Sequence, residues 1–392
     1  MPYDAEVRRD VNQPLPGAPE PWAPSVMPPF RARPPYLMTE MIAAEPGLAE
    51  RIVHRLAEDA AVEQLADRLR QAADQGRAII TTGSGTSEHA AMGLARFLSE
   101  ALDLPPGRDV RAMPALEVAQ RPPRDGVVIA VSHEGGTHVT NEAVRAAGRG
   151  AATTAFVTVS DRSPGAELAD LVIATDEQDQ SWCHTVGYLS PLVVGAALSA
   201  RISGSRIDGL AIRALLDVAH DPHSAANVAA SLVGSDRVIV AGSGGDHVTA
   251  RELARKIEEG ARLPSEAHDL ETVLHGHLAA ATRWTGLIVV MTEADAGALL
   301  RERAVRVLMA AKALGVPAAA ILADSTASDL PDEMTPAGRI VLPHTGRVGG
   351  VAGSLLASAV ALQVLTERLA RARSVNPDTL GREDPAQAAA HA

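Results

Sequence analysis

The sequence predicts an α/β protein whose strands lie parallel and whose two halves resemble one another. Short apolar runs alternate with amphipathic helical stretches in βαβα order, and one strand, turn and helix-start pattern occurs twice. Composition agrees with this. Hydrophobic residues make up 46% of the chain but aromatics only 2%, so Ala, Val, Leu and Ile must fill the interior. Such residues suit helices packed on strands that are buried on both faces. At 392 residues the chain exceeds what one core usually serves, and two domains are expected.

Residues 1–35 hold ten prolines and little periodicity, so they read as an extended arm, either without fixed structure or laid over a neighbouring surface. The first domain spans 36–205. Helical spacing covers residues 38–44 and 48–75, with Pro46 and Gly47 expected to separate them. Buried strands are expected at 77–82, 126–131, 153–158 and 171–175. After a linking region at 203–233, the second domain, within 206–370, repeats the series with strands at 237–241, 286–291, 317–322 and 339–342. A long helix at 351–369 closes it, and the polar tail of 371–392 turns at Asn376 and Pro377 to reach back toward the site. The repeat is explicit: Gly83-Ser84-Gly85 with Leu94-Ala95-Arg96 returns 159 positions later as Gly242-Ser243-Gly244 with Leu253-Ala254-Arg255.

Charge and cysteine content exclude several functions. A net charge of -12 and a pI near 5.5 oppose binding to nucleic acid or to anionic membranes, both of which need basic surface. The single cysteine, Cys183, cannot form an intramolecular disulfide and fits a reducing cytoplasm. No stretch approaches the ~18 apolar residues of a spanning helix. A signal peptide is not expected either, since no charged segment precedes an apolar run at the N-terminus.

Lysine is the rarest cation here, with two residues against thirty-four arginines, and one of the two is Lys256 in the run Glu252-Leu-Ala-Arg-Lys256-Ile-Glu-Glu259. A position that keeps lysine amid such a bias points to a need for a compact, deprotonatable ammonium. Helical spacing puts Lys256 and Glu259 on one face, and His275 follows Glu259 by sixteen residues. An amine, a carboxylate and an imidazole are the groups of proton transfer. The bland alternative is a solvated helical ion pair. His275 and His277 lack a nearby carboxylate cluster in sequence, so no metal is expected. Cys183-His184 matches a nucleophile and base in composition only, because sequence neighbours rarely face each other.

Gly83-Ser84-Gly85-Thr86-Ser87 follows a strand and opens a helix, where free N–H groups favour an anion or polar oxygen; equally, it is a tight connection. Ser132-His133-Glu134-Gly135-Gly136-Thr137 does the same after a second strand. Glu134 opposes a phosphate there, and suits sugar hydroxyls or an ammonium group instead.

From about Tyr36 to Asp384 these motifs resemble the sugar isomerase (SIS) family, specifically the tandem isomerase module of glucosamine-6-phosphate synthase and the related deaminases, deglycases and ketose/aldose isomerases. The likeness rests on several residues in order. They are Met38-Thr-Glu-Met41 ahead of Glu45-Pro46, the Gly85-Thr86-Ser87 loop, the Ser-x-x-Gly-x-Thr loop at Ser132 to Thr137, the Glu252, Lys256, Glu259 helix, and His275-Gly276. It implies two flavodoxin-like three-layer sandwiches in tandem, with no cofactor.

It also implies that Glu259 moves a proton between C1 and C2 of a sugar, that Lys256 assists, and that His275 opens the ring from the neighbouring subunit of a homodimer with shared active sites. Ser87, Ser132, His133 and Thr137 match positions that bind the sugar's far end. Four residues depart from the family pattern: Glu134 for serine, Gly136 for glutamate, Trp182 for a small residue, and Arg382 near the lysine that forms an imine in the synthase. Guanidinium stays protonated and cannot form that imine. With no N-terminal nucleophilic cysteine, a glutaminase is not expected. The expected activity is aldose-ketose isomerisation of a sugar phosphate or modified sugar, with deamination or deglycation of an amino sugar, or non-catalytic sugar sensing, as alternatives.

Overall fold

Two parallel sheets wound in the same order organise the chain in a computed structural model that describes residues 7, 9–26, 31–105, 107–293, 297–328 and 330–390. The first contains β1 (Ile79–Gly83), β2 (Arg111–Pro114), β3 (Asp125–Val131), β4 (Ala151–Thr158) and β5 (Leu171–Ala174), in the spatial order β2-β1-β3-β4-β5. The second contains β6 (Arg237–Ala241), β7 (Ser265–His268), β8 (Thr285–Met291), β9 (Ala318–Ala323) and β10 (Arg339–Leu342), ordered β7-β6-β8-β9-β10. This is the flavodoxin-like order, twice. All eight expected strands form, while β2 and β7 were not anticipated. Both are four-residue edge strands, Arg-Ala-Met-Pro and Ser-Glu-Ala-His, that are partly exposed and carry no apolar run.

The glycines of the duplicated turn have one physical cause. A Cβ on Gly83 would lie 2.6 Å from the Ser87 carbonyl oxygen, and one on Gly242 would lie 2.6 Å from that of Asp246. Only glycine lets the strand end come so near the first helical turn. Gly85 and Gly244 then take φ of +65° and +67°, the left-handed region that a side chain disfavours.

Pro46 does not split the first helix as expected. α1 (Leu37–Leu56) runs through it, with Glu45, Pro46 and Gly47 all buried. Packing against α6 (Val186–Ile202) and α7 (Gly209–Ala219) offsets the missing hydrogen bond. The break comes instead at residues 57–59, where the Asp59 side chain caps α2 (Ala60–Asp74) by accepting from the Ala61 N–H. The linking region consists of α7 and α8 (Pro222–Leu232), capped by Asp208 and Asp221.

Alternation along the strands builds the layers. Val238 and Val240 of β6, with Val127 and Ile129 of β3, face one continuous core between the sheets. It is shared by α1, α3 (Thr86–Ala101), α6, α9 (Asp246–Ala261) and α13 (Gly350–Ala372). Ile239, Leu287 and Val289 face outward and are covered by α11 (Ala298–Leu314). Ile80 and Val128 face outward beneath α4 (Ala115–Gln120) and α5 (His138–Arg149). α13 is long and apolar enough to cross a membrane, which the sequence reading did not foresee. Yet 83% of its most apolar stretch is buried inside the protein, as a core helix should be.

Candidate active site

In this strand order the chain changes direction between β1 and β3, and a crevice opens beyond their C-terminal ends. The loops there bring in Ser84, Thr86 and Ser87 on one side and Ser132, His133, Glu134, Gly136 and Thr137 on the other. Across from them α9 presents Lys256 and Glu259. The segment before α6 adds Trp182 and His184, and the C-terminal tail adds Leu380 and Arg382. Together they enclose a cavity of about 420 Å³. Ten of the twelve candidate residues therefore meet. Gly85 contributes only the turn between Ser84 and Thr86.

His275 is apart from this cluster. It caps the C-terminus of α10 (Leu270–Leu274), its side chain is 71% exposed, and Nε2 lies 2.8 Å from Glu271 Oε1. In this chain it does not line the cavity.

At the cavity floor Lys256 is fully buried, with Nζ 2.6 Å from Glu259 Oε2 and 3.5 Å from Glu252 Oε1. Glu252 is buried too, and is held by Thr86 Oγ1 at 3.2 Å and His89 Nδ1 at 2.7 Å. Burial alone would strip the proton from Lys256, but the charges of Glu259 and Glu252 outweigh it and raise the amine above its ordinary value. This reverses the expectation of a deprotonatable amine: Lys256 is a fixed cation. Burial likewise raises Glu252, and Lys256 with His89 overcomes that and holds the carboxyl below its usual range. Glu259 differs from both. Its side chain is 23% exposed, one oxygen binds Lys256, and the other, 3.7 Å from Arg255 Nη1, remains available to the cavity.

Burial, reinforced by His184, pushes His133 down to about 3 although Asp179 opposes it. Its Nε2 accepts the Asp179 N–H at 2.9 Å, so the ring is a neutral structural acceptor and not an acid. Cys183 is buried and burial raises its thiol well above the usual range, which leaves it inert. Outside the cavity, Glu266, His268 and His277 have donor atoms within 4.8 Å of one another, the one group among the described residues whose donors suit a divalent cation. Folding supplies the carboxylate that sequence spacing around His277 lacked.

Trp22, Pro24 and Leu380 were not expected at the site, whereas Ser84 belongs to the expected glycine loop and His184, set aside as a base, does line the cavity. Trp22 and Pro24 belong to the proline-rich arm, which lies across the cavity. Leu15 is buried and its N–H donates to Glu177 Oε2 at 2.8 Å; Pro16 O accepts the Gln178 N–H at 2.8 Å. Arg51 holds the same Glu177 through two nitrogens at 2.7 and 2.8 Å. Farther along, Trp22 Nε1 donates to Glu134 O at 3.1 Å. The only hint in the sequence is one tryptophan in a chain nearly devoid of aromatics.

No protein-family model and no curated protein matches the sequence, but solved structures match it over most of its length. The C-terminal domain of glucosamine-fructose-6-phosphate aminotransferase from Francisella tularensis is 17% identical with a TM-score of 0.74, covering 88% of this chain and 98% of that one. Tagatose-6-phosphate ketose/aldose isomerase from Escherichia coli is 17% identical with a TM-score of 0.69, covering 91% and 98%. Glucosamine-6-phosphate deaminase from Thermotoga maritima is 16% identical with a TM-score of 0.64, covering 88% and 97%. The fold is that of the tandem SIS proteins. Within this SIS fold the cavity lies where the loops after β1 and β3 face α9 of the second half, so both halves build it.

Proposed function

We propose that this SIS protein catalyses proton transfer through an enediol intermediate on a sugar or sugar phosphate, most simply aldose-ketose isomerisation. The observation that carries this is the Lys256 and Glu259 pair at the cavity floor, one carboxylate oxygen tied to a buried ammonium and the other open to a ligand. Glu259 removes the proton from one carbon and returns it to the next. Lys256, permanently charged, orients that carboxylate and offsets the negative charge that develops on the enediol oxygens. Hydroxyls of Ser87, Ser132 and Thr137 hold the chain of the sugar. The ring-opening role falls to His275 of a neighbouring subunit, which makes a homodimer the catalytic unit.

By the resemblance the synthase's imine-forming lysine falls near Arg382, whose guanidinium lies 3.8 Å above the Trp182 ring. This favours isomerisation over amine transfer, whereas expulsion of an amine with the same base is the second reading, supported by Glu134 as a seat for ammonium. Proton exchange in D2O, followed by NMR at C1 and C2 across phosphorylated and unphosphorylated ketoses and amino sugars, tests the proposal. Exchange that vanishes in Glu259→Gln supports it. Saturable binding without exchange in any sugar overturns it in favour of a sensor.

A further inference from the structure

We infer that the far end of the cavity takes an uncharged polyhydroxyl group and not a phosphate, and that Trp22 of the N-terminal arm is one wall of this subsite. The inference deepens the reading of the cleft as a sugar site and rests on it.

The loop from Ser132 to Thr137 leads into α5, a place where backbone N–H groups suit an anion. Here Glu134 lines the cavity beside it, and the loop has no lysine or arginine to offset its charge. The arm fixes the arrangement: the Ser25 N–H donates to Glu134 Oε2 at 3.3 Å, and Trp22 Nε1 donates to the Glu134 carbonyl at 3.1 Å. Gly136 is what makes room for it. A Cβ there would stand 3.2 Å from Cη2 and Cζ2 of the Trp22 ring, tighter than ordinary contact, so a side chain at this position would press the arm outward by a few tenths of an ångström. Two departures in the loop, Glu134 and Gly136, thus answer to a single neighbour.

Arg382, a cation on the cavity wall, lies over the Trp182 ring and within the field of Glu134. Of the three tryptophans in the chain, two line this cavity. A carboxylate that accepts from hydroxyls, beside aromatic faces that pack against the C–H face of a sugar ring, is chemistry for a neutral carbohydrate.

The test is fluorescence of the intact protein titrated separately with inorganic phosphate and with paired ketoses that do or do not carry a terminal phosphate. The wild type should show no saturable response to phosphate, while Glu134→Ser, with Glu134→Gln as a milder variant, should acquire one. Unphosphorylated ketose should bind the wild type at least about tenfold tighter than its phosphate. Trp22→Ala should weaken that binding by a similar factor, and Trp22→Phe should restore part of it. Wild-type binding of phosphate as tight as that of either Glu134 variant overturns the inference, as does phosphate binding by none of them. If no sugar binds, the functional reading fails, and the phosphate titration still decides the subsite.

Discussion

Lys256 keeps its proton because two carboxylates face its almost fully buried ammonium, and that has consequences for both stability and chemistry. Lys256→Met leaves the buried Glu252 without its main counter-charge. It should lower unfolding free energy by about 3–5 kcal/mol in urea melts and abolish sugar proton exchange. Glu259→Gln, by contrast, changes a partly exposed group. It should remove exchange and cost less stability than Lys256→Met, because Glu252 still faces the buried ammonium. The pair was legible in the sequence because lysine is so rare in this chain and because three residues of helix bring both groups to one face. His89 and Trp22 were not legible, since the first reaches Glu252 across 163 positions and the second reaches Glu134 across 112. No local pattern encodes contacts of that range.

At the level of elements, the two glycine turns carry the same constraint in both halves. Gly83→Ala and Gly242→Ala should each cost about 2–4 kcal/mol, because the added methyl meets backbone that cannot move aside. Gly234→Ala, where a Cβ meets nothing within 4 Å, is the control and should stay within about 0.5 kcal/mol in the same chemical-denaturation series. Central strands were legible from their apolar runs. The edge strands β2 and β7 were not, since a strand with one neighbour and an exposed face can form without such a run, although the other edges, β5 and β10, keep one. Pro46 misled for a related reason: a local helix breaker lost to the packing of a helix buried on several sides.

Across the whole molecule, burial next to Asp179 raises the Glu45 carboxyl well above its ordinary value of 4.5, only partly relieved by Gln363. The folded state then binds a proton that the unfolded chain releases. That contribution to stability is complete below about pH 4.5 and is lost as pH rises toward the elevated folded value. Glu45→Gln should therefore gain on the wild type as pH increases, by up to about 1.4 kcal/mol per unit in melts between pH 5 and 8. The proposed dimer gives a second global test. Mixing and refolding the inactive variants Glu259→Gln and His275→Asn should recover about one quarter of wild-type activity, because half the dimers are mixed and each holds one intact site. Recovery would fail if His275 served its own chain. The arm carries one more consequence, for anyone preparing this protein. By composition, position 36 is the natural place to start a trimmed version for expression, yet that cut removes Leu15 from the core. Such a version would also lack Trp22 and the clasp on Glu177, so its assays and inhibitor screens would describe a wider, differently shaped vessel from the one the full chain makes.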